Sequence, residues 1–115
     1  LSGAAYPLFD PGVIEITAQT EPAKTEDARR VMVETLETLT KEPITAEEVE
    51  RAKRQLLQIR ERTLANSQLF AVGLSNWAGA GDWRLFFLHR DRLEKVTAAD
   101  VNAAAAKYLV RSNRT

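Results

Sequence analysis

The chain has 115 residues, sets 16 Lys and Arg against 16 Asp and Glu, and contains one histidine and no cysteine. That length suits one domain burying roughly two thirds of its unfolded surface, and the 44% hydrophobic content excludes a disordered chain. No run approaches the ~18 apolar residues of a membrane span, zero net charge supplies no global field for nucleic acid or anionic lipid, and without cysteine there is no disulfide, thiolate zinc site or cysteine nucleophile.

The elements follow in chain order. Residues 1–6 read as the end of a strand lying antiparallel to the next one, across turn chemistry at Asp10-Pro11-Gly12. Val13 to Thr20 alternates Ile14, Ile16 and Ala18 with Glu15, Thr17 and Gln19, the period of a half-buried strand. Thr25 is placed to cap a helix with Ala28, Val31, Met32, Leu36 and Leu39 at helical spacing. Pro43-Ile44 ends it, and Thr45-Ala46-Glu47-Glu48 starts another with a capping box. Val49, Ala52, Leu56, Ile59 and Thr63 form its apolar stripe, with Glu50, Arg51, Lys53, Arg54, Arg60, Glu61 and Arg62 largely off it.

A break is expected between Leu64 and Ser67, then an almost wholly apolar helix through Leu69, Phe70, Val72, Leu74 and Trp77 that ends at Gly79-Ala80-Gly81. Asp82 is placed to cap a helix carrying Leu85, Phe86, Leu88 and Leu93. Thr97 to Asp100 forms a second box, opening an Ala-rich helix whose inner side is Val101, Ala104, Ala105, Tyr108 and Leu109. Val110 to Thr115 reads as the approach to a further strand. The class is α+β, with antiparallel strands packed by about five helices, and residues 1–115 are read as a single unit. The absence of an initiator Met and a signal peptide, with strand-like residues at both ends, reads as a piece of a longer protein.

The chemistry-bearing motifs favour structural roles. His89-Arg90-Asp91 copies the start of a kinase catalytic loop, but Val96 stands where the metal-binding Asn belongs and no Gly-rich loop accompanies it. Glu47, Glu48 and Glu50 suit the positive end of a helix better than a metal or an acid–base pair. Arg51, Lys53, Arg54, Arg60 and Arg62, interleaved with Glu50 and Glu61 and without stacking aromatics, read as a solvated face rather than a nucleic-acid helix. Trp77 and Trp83 flank a Gly-rich loop and are either packing anchors or a ligand platform. Asn113-Arg114-Thr115 matches a glycosylation sequon that arises often by chance. From the residues alone there is no catalytic, cofactor-binding or metal site.

In order, DPGVIEITAQ, PITAEEVERAKRQLL, LANSQLFAVGLSNWAGAGDWRLFFLHRDRLEKVTAADVNAAAAKYL and SNRT resemble the insulinase/pitrilysin-type zinc peptidases, the group that includes mitochondrial processing peptidase. The resemblance implies the later, inactive peptidase stretch of one α/β domain, an incomplete half of a sandwich that with a second half encloses a peptide chamber. The zinc motif HxxEH of that family is absent, and its substrate-binding Arg/Tyr pair would precede Leu1, so no catalytic or zinc-binding residue transfers. The implied role is a scaffold and chamber wall of a zinc metalloendopeptidase, with zinc expected in the parent protein and not in this segment. The competing reading is a non-catalytic partner subunit or interaction module.

The expected partners are the rest of its own chain or a paired family subunit, peptide substrate in the parent, and a second copy through an exposed strand or apolar surface. No nucleic acid or membrane is expected, and family analogy favours the bacterial periplasm. Ile14, Ile16, Leu56, Phe70, Trp77 and Leu88 are expected to hold the fold. On that reading Leu56→Ala costs about 2–5 kcal/mol.

Overall fold

The computed structural model describes residues 2–6, 12–39 and 41–115. Asp10-Pro11 of the expected turn lies outside them. The fold is α+β: strands β1 (Ser2–Tyr6) and β2 (Val13–Thr17), then helices α1 (Thr25–Thr38), α2 (Ala46–Ala65), α3 (Ser67–Gly79), α4 (Leu85–Lys95) and α5 (Ala98–Tyr108). Two compact units divide it, Leu1–Pro43 with Asn102–Thr115, and Ile44–Val101.

In the first unit β1 and β2 form a two-stranded antiparallel sheet, with Gly3 opposite Ile16 and Ala5 opposite Ile14. Side chains alternate between faces, so Gly3, Ala5, Ile14 and Ile16 share one face and Ser2, Ala4, Tyr6, Val13, Glu15 and Thr17 share the other. The strand ends at Thr17, short of the expected Thr20. Only Ile16 in this sheet is even half-buried; Ile14 is 53% exposed.

Helix α1 departs from its expected cap. Pro22 starts a 3-10 turn (Pro22–Lys24) that runs straight into the helix, so Thr25 is already helical and its hydroxyl donates back to the Pro22 carbonyl at 3.0 Å. Met32, Leu36 and Leu39 are half-buried, whereas Val31 is turned outward. The stretch read as the approach to a further strand, Val110 to Thr115, contains a 3-10 turn, Arg111–Asn113. Two side chains hold it: Asn113 Nδ2 donates to the Tyr108 carbonyl at 3.1 Å, and Arg114 Nη2 to that of Leu109 at 3.2 Å. These carbonyls belong to the end of α5, which leaves its last carbonyls without intrahelical partners. Val101, Asn102 and Ala105 of α5 and Leu109 just after it are partly covered, while Ala104 and Tyr108 face out.

The second unit packs α2, α3 and α4 together. Its capping box is formed as expected: Thr45 Oγ1 accepts from Glu48 N at 3.3 Å and Glu48 Oε2 accepts from Thr45 N at 2.9 Å. The break after Ala65 is made by Asn66, whose side-chain oxygen accepts from the backbone N–H of Gln68 and Leu69 and caps α3. Gly81, at φ +121°, turns the chain after α3 in a region favourable to glycine.

Among the described residues the buried ones are Val49 and Phe86, at 5% and 4% exposure. The inward line of α2 is Val49, Lys53, Leu57 and Arg60, one step round from the expected stripe. Leu56 and Ile59 are 49% and 58% exposed. Leu88 is 41% exposed, so of the six residues expected to hold the fold Ile16, Phe70 and Trp77 are the better covered and none is fully buried. Long basic side chains cause the shift, because their aliphatic stems cover apolar surface while their ends find acceptors.

Candidate interaction surface

Around Phe86 the second unit builds a polar-edged aromatic core. Phe70 meets Phe86 edge-on at 5.5 Å, and Phe87 lies 5.2 Å from Phe86 and 6.2 Å from Trp83. The Arg60 guanidinium sits 4.1 Å over the Phe86 ring, and its Nη2 donates to the Phe86 carbonyl. Burial and the nearby Arg90 cation lower the Arg60 pKa, with Asp91 opposing them. Lys53, whose side chain is 12% exposed, donates to Glu50 at 2.8 Å and to the Val96 carbonyl at 3.1 Å.

This arrangement disperses the sequence motifs. Lys53 and Arg60 turn inward while Arg51, Arg54 and Arg62 stay exposed, so the basic residues of α2 share no one face. Glu48 serves the capping box and Glu50 pairs with Lys53. Trp77 tilts against His89 at 5.4 Å, whereas Trp83 meets Phe87 edge-to-face. Each tryptophan has its own packing partner. No group of three or more His, Cys, Asp or Glu side chains able to hold a metal occurs among the described residues.

The first unit offers two surfaces. One is a cleft of about 300 Å³ lined by Leu36, Leu39, Ala105, Leu109 and Val110, beside the Arg114–Glu37 pair at 3.3 Å. The other is the hairpin, whose strands each have one edge without a strand partner among the described residues. Such an edge presents a row of backbone donors and acceptors to any extended segment. Sequence patterning indicated the strand; the packed roles of Lys53, Arg60 and Asn66 were missed, and only the capping preference of Asn gave a signal for any of them.

Residues 2–56 match the family model of the peptidase M16 inactive domain. The crystal structure of a "putative zinc protease from Bordetella pertussis Tohama I" is 41% identical, with a TM-score of 0.84, over 98% of this chain and 63% of its own. This chain is similar to the M16 inactive peptidase domain. A second structure, the "inactive peptidase domain of a putative zinc protease from Bordetella parapertussis", is 41% identical at a TM-score of 0.86, over 99% of this chain and 62% of its own. The chain therefore spans less than two thirds of either relative. No curated protein sequence matches it. The M16 family match runs from β1 into the middle of α2, and the two structural matches extend the likeness over the remaining helices.

Proposed function

We propose that this chain is a scaffold and chamber-wall part of a zinc metallopeptidase, with no proteolytic activity of its own and with the zinc held elsewhere in the parent protein. The likeness to inactive peptidase domains over nearly the whole chain carries this reading. In it, residues 1–115 form part of one larger α/β domain, whose other strands and the peptide-holding half complete the chamber. The partners are the remainder of that polypeptide or a paired family subunit, peptide substrate within the parent, and a second copy through the exposed strand. The purified chain is expected to cleave no peptide and to retain no stoichiometric zinc after dialysis. Cleavage that co-purifies with the chain and disappears on adding a zinc chelator overturns the proposal.

A further inference from the structure

We infer that the free edge of β1 pairs antiparallel with the same edge of a second copy, about a two-fold axis through Ala4. This deepens the second-copy pairing in the reading above by giving it an edge and a register, and it draws on neither zinc nor peptide cleavage. Strand β1 reads Ser2-Gly3-Ala4-Ala5-Tyr6: it has no charge and no proline, and every residue is exposed. Those are the devices by which natural edges avoid pairing, and β1 has neither.

The register follows from side-chain chemistry. Pairing about Ala4 sets Ser2 opposite the partner subunit's Tyr6, Gly3 opposite the partner subunit's Ala5, and Ala4 opposite its own copy. No charge meets a like charge. The same operation on β2, centred on its middle residue, sets Glu15 against the partner subunit's Glu15, and like charges directly opposed destabilise a sheet. The edge of β1 is therefore the one suited to a second copy.

Packing points the same way. A lone two-stranded hairpin is marginal in water, and its apolar face of Gly3, Ala5, Ile14 and Ile16 is largely uncovered. A two-fold axis perpendicular to the sheet keeps this face of both copies on one side. The product is a four-stranded sheet with a continuous apolar face, enough strands for independent stability given something to bury it.

Sedimentation of the 115-residue chain over a wide concentration range is expected to show a reversible monomer–dimer equilibrium. Ala4→Lys, which opposes two ammonium groups across the axis, is expected to shift it to monomer, while Glu15→Lys leaves it a dimer. Because the chain has no cysteine, Ala4→Cys under mild oxidation is expected to give a disulfide-linked dimer and Glu15→Cys to give none. Helical circular dichroism verifies folding of each variant. A chain monomeric throughout, an Ala4→Lys dimer, or equal crosslinking of the two cysteine variants overturns the inference; a monomer leaves the edge to a strand from elsewhere in the parent or to an extended peptide. The peptidase reading has its own test in the cleavage and zinc measurements, so either can fail alone.

Discussion

At Phe86 a ring only 4% exposed, a guanidinium and a glycine meet. A Cβ placed on Gly73 would lie 3.0 Å from Phe86 Cε2, so the glycine sets how closely α3 approaches the ring of α4. Phe86→Ala is expected to cost about 3–5 kcal/mol in urea denaturation. Leu56→Ala is expected to cost under about 1 kcal/mol, because the side chain already faces water. The contrast between these two variants tests the helix phase directly. Periodicity ranks apolar letters and so favours Leu56; it has no means of seeing that Lys53 and Arg60 fill the inward positions with methylene stems, and this is why the stripe is read one step off.

His89 adds a pH dependence at the same scale. Its pKa is lowered by burial, with the Arg60 cation adding to the effect. The unfolded imidazole binds protons more readily than the folded one, so stability is complete above the ordinary histidine range and declines as pH falls through it. His89→Gln is expected to flatten the stability profile between pH 7 and 5, measured by chemical denaturation at each pH.

Helices α2, α3 and α5 start at side-chain caps, and the two capping boxes, at Thr45 and Thr97, were the most legible features of the sequence. Thr45 and Thr97 each exchange hydrogen bonds with an acidic residue three positions on, and hydrogen bonds from the threonines lower the pKa of Glu48 and Asp100. A lowered carboxylate pKa stabilises the fold above the unfolded pKa, and that stabilisation is lost as pH falls through the folded value. Thr45→Ala is expected to lower stability by about 1 kcal/mol at neutral pH. Circular dichroism is expected to show the loss narrowing in acid, where the wild-type box is itself weakened. The turn at Arg111–Asn113 was less legible, since Val110 to Thr115 carries strand-like letters and the bonds that fold it come from Asn113 and Arg114 reaching back to α5.

For the molecule as a whole, the class and the family likeness were readable because cap, stripe and turn signals occur in a distinctive order, and the likeness to the Bordetella structures extends over 98% and 99% of this chain. Burial was not readable. Patterning shows which residues have an apolar face, whereas covering that face depends on what packs there, and Ile14, Leu56 and Ile59 remain open to water. Hydrogen exchange is expected to be slowest for amides of α2 to α4 near Val49 and Phe86 and fastest in the hairpin of the dilute chain. Equal protection of the hairpin and these helices at low concentration would contradict that order.

Both tryptophans, Trp77 and Trp83, fall within Ile44–Val101. Their emission is thus an optical signal confined to that unit, while the sheet and α1 are spectroscopically silent at wavelengths exciting indole alone. If the units melt separately, fluorescence and far-ultraviolet dichroism will trace different curves from one sample. Quenching of Trp77 by protonated His89, 5.4 Å away, would further make the emission an internal pH indicator.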